Sequence, residues 1–236
     1  MLKKFTDCLS KEYTHVEDAA SYCLERDGGT VNVYFQWSNG KVDWKNNFDF
    51  PAKPYREMED AWYCHRGFLR VWKAIEPYIA CELCSISTNK INIVGYSHGG
   101  AIAQLCYEYV AFNRPDIFEA GNLTGVGFGA PRVVWGNPNS KVRSRFDGFI
   151  IVRNGRDIVT HMPPRFFGFT DICEIMQIGE AGSGKNFFNE VKEKGFWIAV
   201  MDGNYLGSVM DHFEHNYIES LTELEKNAES LLRPAD

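Results

Sequence analysis

Six residues, Gly95-Tyr96-Ser97-His98-Gly99-Gly100, separate a short apolar run, Ile91-Asn92-Ile93-Val94, from a stretch in which Ile102, Leu105, Cys106, Tyr109 and Val110 recur at helical spacing. A serine flanked by glycines at a sharp strand-to-helix turn sits on a strained backbone, where larger neighbours would clash and the hydroxyl points into a cleft. The helix start beyond it offers backbone N–H groups to developing negative charge. Ser97 is therefore a candidate nucleophile, and the chain must place a buried strand directly before an inward-facing helix. Pro115 marks the end of that helix.

The remaining pattern agrees with such a layered fold. Val31, Val33, Phe35 and Trp37 alternate with polar positions, as in a strand with one apolar face. Phe68, Val71, Trp72 and Ile75 follow helical spacing up to Pro77, which is expected to end or kink that helix. Val126-Gly127-Phe128-Gly129 and Phe149-Ile150-Ile151-Val152 suit strands buried on both faces, and Ile172 to Ile178 suits another. Ile218, Leu221, Leu224, Ala228 and Leu231 form a terminal amphipathic helix. A first helix is expected from about Val16 to Leu24, closed by Asp27-Gly28-Gly29. Strands interleaved with helices predict an α/β layer sandwich around a mainly parallel central sheet. With 236 residues, 44% of them hydrophobic, and no repeat or linker, residues 1–236 are expected to form a single domain.

Charge and cysteine usage narrow the function. A net charge of -6 without clustered Lys and Arg argues against a nucleic-acid partner. Met1-Leu2-Lys3-Lys4-Phe5 has no apolar stretch behind its lysines, and no run reaches membrane-spanning length, so no transmembrane segment is expected. Seven cysteines scattered through apolar segments read as reduced thiols. Together these features predict a soluble, cytoplasmic protein. Cys81 and Cys84 form the one C-x-x-C pair; lacking a second ligand pair, they read as helical structural residues, and neither metal nor cofactor is assigned.

A serine hydroxyl needs a neutral imidazole to take its proton and a carboxylate to fix the imidazole's tautomer. In α/β hydrolases these follow in the order serine, acid, histidine, which removes His15 and His65 from the six histidines; His98 adjoins Ser97 too closely. His161, His212 and His215 remain. For the acid, Asp157 follows the Phe149–Val152 run at the place where catalytic groups gather in such sheets. The alternative is a loop aspartate closing a turn near Gly155.

Four stretches in the same order resemble the class 3, or fungal-type, lipases: Ile93 to Ala101, Gly127 to Val133, Arg153 to Pro164, and Asp211-His212 with Asn216-Tyr217 and Leu221 beyond. The resemblance implies an α/β-hydrolase fold with Ser97 as nucleophile, Asp157 as acid and His212 as base. His161 then becomes a structural residue of the acid loop, and His215, one helical turn on, the rival base. Asp211 is not expected to orient His212, because residues adjacent in sequence point apart. The oxyanion hole is expected from the backbone N–H of His98 and from Ser38, since Phe35-Gln36-Trp37-Ser38 matches the family's Phe-Arg-Gly-Ser/Thr turn. Asp43-Trp44 and His65-Arg66-Gly67-Phe68 extend the match. Gln36-Trp37 in place of Arg-Gly, Tyr96 in place of histidine and His98 in place of leucine are departures. The segment from Ser38 to His65, where the fungal enzymes carry a lid, is polar and without an amphipathic helix, which predicts no strong interfacial activation.

Gly179-Glu180-Ala181-Gly182-Ser183-Gly184-Lys185 matches the start of a phosphate-binding loop, but Asn186 stands where Ser or Thr must meet Mg²⁺. The glycines read as a surface loop. The expectation is a serine carboxylic-ester hydrolase acting on an ester or acylglycerol, with transient lipid-surface contact. Thioester hydrolysis or acyl transfer through the same residues is one alternative. A non-catalytic binding protein on a hydrolase fold, motivated by Gln36-Trp37, is another.

Overall fold

The computed structural model describes residues 1–16, 20–36, 51–55, 62–179 and 210–232. Among them, seven strands form one sheet in the order β1 (Thr14–Val16), β2 (Ala20–Asp27), β3 (Thr30–Phe35), β6 (Lys90–Tyr96), β7 (Leu123–Phe128), β9 (Phe149–Asn154) and β11 (Glu174–Ile178). From β3 onward every pairing is parallel; β1 and β2 add an antiparallel edge. A four-stranded antiparallel sheet, β10 (Phe169–Thr170), β8 (Val134–Trp135), β5 (Trp62–His65) and β4 (Ala52–Tyr55), is built from connections that leave the main sheet.

Period-two alternation divides the core. On one face Val31, Val33, Ile91 and Ile93 pack with α2 (Arg66–Leu83) and α3 (His98–Asn113). On the other, Tyr34, Val94, Tyr96, Val126 and Phe128 pack with α1 (Leu2–Ser10) and with Tyr217 and Leu221 from the terminal helix. Smaller helices, α4 (Pro115–Glu119) and α5 (Ser140–Ser144), precede β7 and β9, and α6 (Glu214–Leu232) closes the fold. Fully burying a side chain such as Phe5 of α1 contributes roughly 1.5–3 kcal/mol.

Two local expectations are corrected. The segment read as a helix from about Val16 to Leu24 enters the sheet as β1 and β2, with 17–19 outside the described residues. Tyr22 and Leu24 pack on one core and Cys23 on the other, a period-two arrangement that a nine-residue window could not separate from a helix. Pro77 does not end α2, which runs on to Leu83. Pro77 lies on the exposed side while Ile75, Ile79 and Leu83 are buried, so core packing outweighs the missing hydrogen bond. Cys81 and Cys84, on α2 and at its C-cap, are free thiols.

Candidate active site

The site is built where the parallel strands end. Ser97 follows β6 and precedes α3 with φ 55° and ψ -122°, the one positive-φ non-glycine residue among those described. The Phe128 carbonyl on β7 accepts from its N–H at 2.8 Å. The flanking glycines are required by backbone crowding. A Cβ on Gly95 would lie 2.2 Å from the Gly99 carbonyl oxygen, and one on Gly99 would lie 2.2 Å from the carbonyl oxygen of Phe35. Such approach jams the start of α3 against the end of β3, bringing the Phe35-Gln36 turn beside the helix N-terminus. His98 is the first residue of α3, and its buried ring lies 5.5 Å from Phe68. Ser38, with residues 37–50, lies outside the described residues, as do 56–61 and the glycine-rich motif from 180 onward. Most of the lid segment therefore also lies outside them.

Ser97 Oγ is 2.8 Å from Nε2 of His212, whose Nδ1 is 2.9 Å from Asp157 Oδ2. These three side chains come from the end of β6, the loop after β9 and the turn before α6. Such a chain can take a proton from the serine and hold the resulting imidazolium beside a carboxylate. Asp157 is fully buried, and both its carboxylate oxygens accept hydrogen bonds. Oδ1 accepts from the Val159 N–H at 2.9 Å, and Oδ2 accepts from the Tyr217 hydroxyl at 2.7 Å as well as from His212. The same phenol accepts from the Asn154 N–H at 3.1 Å. Its single proton belongs to Asp157, because the Val152 carbonyl is farther, at 3.3 Å. Burial, and next the Asp157 charge, raise Tyr217 well above the ordinary phenol value, so it remains a donor.

His212 lies in an irregular turn, so side chains set its position. Asp211 Oδ2 accepts from the Arg156 N–H at 2.7 Å, and the Asn154 amide donates to the Asp211 carbonyl at 3.0 Å. Asp211 thus clamps the turn onto the acid loop and does not touch the His212 ring nitrogens. Gly129, with φ +57°, forms the floor beneath: a Cβ there would meet His212 Cε1 at 2.9 Å and Asp157 Oδ2 at 3.0 Å.

The other histidines have separate tasks. His65 caps α2 by accepting from the Phe68 N–H, while His15 on edge strand β1 contacts Ser21. His215 is exposed and stacks on Phe213. His161 Nδ1 lies 3.0 Å from the Asp157 carbonyl oxygen, and burial, then Arg153, push its pKa down to about 4. Tyr217, Gly129 and Tyr96 were not singled out as site residues. Asn216-Tyr217 beside His212 was the only sequence signal for the first, and Gly129's following Phe128 for the second.

Residues 32–167 match the family model for class 3 lipase. The chain belongs to the class 3 lipases. This family member is 29% identical over 176 residues to a lipase of Rhizopus niveus, an alignment covering 72% of this chain and 42% of that one. It is 28% identical over 129 residues to a secreted mono- and diacylglycerol lipase of Malassezia globosa, covering 51% and 39%. The chain thus spans about two fifths of the length of these curated relatives. The Rhizomucor miehei lipase–propeptide structure superposes with a TM-score of 0.58 at 24% identity, over 73% of this chain and 57% of that one, and shares its α/β-hydrolase fold.

The secreted relative corrects the expectation of a cytoplasmic chain, pointing to an extracellular setting. The inference failed physically because Cys8, Cys64, Cys106 and Cys173 are buried and serve as small apolar fillers, a role indifferent to redox compartment. Among the described residues, no helix is long and apolar enough to cross a membrane.

Proposed function

We propose that this class 3 lipase-family chain is a serine carboxylic-ester hydrolase acting on acylglycerols or simpler esters. The observation that carries the reading is the continuous hydrogen-bonded chain Ser97–His212–Asp157, with a strained serine at a helix N-terminus. Ser97 Oγ attacks the acyl carbonyl and His212 Nε2 takes its proton. The tetrahedral oxyanion is met by the His98 backbone N–H and by Ser38. Collapse transfers the His212 proton to the leaving alcohol, giving an acyl-Ser97 ester. Water then attacks that ester with His212 as base again, releasing the acid and restoring the hydroxyl. Asp157 keeps the imidazole's tautomer and stabilises its cation throughout.

The likeness to a mono- and diacylglycerol lipase of Malassezia globosa supports the acylglycerol class. Exposed Trp135, Phe166 and Phe167, with Met210 and Phe213 on either side of His212, support transient contact with a lipid surface. A fluorophosphonate followed by mass spectrometry tests the reading. A single adduct at Ser97, absent in Ser97→Ala, is expected; an unlabelled Ser97 in the wild-type chain overturns it. Product analysis with water and an added alcohol as competing acceptors distinguishes hydrolysis from acyl transfer.

A further inference from the structure

We propose that Tyr96 is a positioning residue that ties the base to the nucleophile's own strand. This rests on the reading of Ser97, His212 and Asp157 as the reacting set. Tyr96 is the last residue of β6, one peptide before Ser97, and is buried. Its hydroxyl donates to the backbone carbonyl of His212. Its ring lies 5.4 Å from the His212 imidazole at an interplanar angle of 25°.

The need for such a tie follows from where His212 sits. Its backbone belongs to neither sheet nor helix, so no ladder fixes it. The Asp211 clamp holds it to the acid loop after β9, which sets the distance between His212 and Asp157 and not that to Ser97. Tyr96 supplies the missing constraint. Peptide bond from Tyr96 to Ser97, hydrogen bond from Ser97 to His212, and hydrogen bond from the His212 carbonyl back to Tyr96 form a closed circuit. Within it, the nucleophile and base cannot drift apart independently. The phenol is itself braced by Phe5 at 5.2 Å and Tyr217 at 5.9 Å between ring centroids. Burial, then the Asp157 and Glu214 charges, raise its pKa, so it stays a donor. Tyr96 acts through His212, holding its backbone carbonyl and the face of its ring. Displacement of a reacting group by an ångström can cost about 10²-fold in rate, so even partial loosening is measurable.

The test compares Tyr96→Phe, Tyr96→Leu and Val126→Ala with wild type, measuring kcat and KM on a soluble p-nitrophenyl ester, the fluorophosphonate labelling rate at Ser97, and Tm. Tyr96→Phe, which keeps the ring, is expected to lower kcat and the labelling rate together by about tenfold with KM changed less than about twofold. Tyr96→Leu, which also loses the stack, is expected to fall further. Val126→Ala disturbs the same buried cluster from β7 at a residue that is no part of the circuit; it is expected to lower Tm while leaving kcat within about twofold of wild type. A Tyr96→Phe chain with wild-type kcat and labelling rate overturns the proposal, and so does an equal kcat loss in Val126→Ala. Should Tyr96→Phe fold poorly, the labelling rate per folded molecule of Tyr96→Leu decides by the same criterion. Absence of Ser97 labelling in the wild-type chain is a different outcome, overturning the underlying reading and the proposal with it.

Discussion

Ser97 occupies a backbone region that costs a side-chain-bearing residue about 1–3 kcal/mol, and the cost persists because neighbours on β7 and α3 pin the turn. Ser97→Gly relieves it. The variant is expected to unfold at higher temperature, by the equivalent of about 1 kcal/mol, while its ester hydrolysis falls by on the order of 10⁶. Calorimetry and p-nitrophenyl ester turnover check the pair; a lower Tm sinks the strain argument. Gly129 tests the opposite sign. Gly129→Ala places a methyl against His212 and Asp157 and forces alanine to positive φ, so kcat is expected to drop by about 10²-fold or more and stability by about 1–2 kcal/mol. Wild-type kcat in that variant would mean that the floor is dispensable. Ser97, Asp157 and His212 were legible because a motif, a strand end and a chain order each constrain one residue. Gly129 and Tyr217 were less so, since their roles are contacts with Asp157 and His212, far from Gly129 in sequence and, for Tyr217 and Asp157, 60 residues apart.

Among the elements, the loop after β9 is expected to respond to acid through His161. His161, whose folded-state pKa is about 4 against an ordinary 6.5, is held neutral by burial and by Arg153 beside it. Because the unfolded chain binds that proton more readily, the stabilising effect is full above about pH 6.5 and is lost as pH falls toward 4. The expected loss is about 2–3 kcal/mol, and His161→Gln is expected to flatten Tm against pH across that window. Parallel curves for variant and wild type would discard this account. β3, α3 and α6 could be read from periodic spacing, and β6, β7 and β9 from short apolar runs bounded by turn residues. α1 escaped because only Phe5 and Cys8 mark its buried face, and β2 was mistaken for helix because its register is decided by β3 and not by its own residues. Pro77 misled for a related reason: a local rule met a helix whose apolar face extends beyond it.

For the whole molecule, the two cores share β3, β6, β7 and β9, and the site draws on the ends of β6 and β9. Residues 1–236 are accordingly expected to unfold as one unit, with far-ultraviolet dichroism, fluorescence of buried Trp62 and Trp72, and residual esterase activity losing their signals along one urea curve. Separated midpoints would show independent parts. Distance along the chain also has a consequence in time. Nucleophile and base are 115 residues apart, so a ribosome adding about 5–20 residues per second needs about 6–23 s to pass from one to the other. During that interval the nascent chain already carries its serine elbow but has no base to activate it. A newly made molecule thus stays chemically silent until the His212 turn and α6 have emerged and docked.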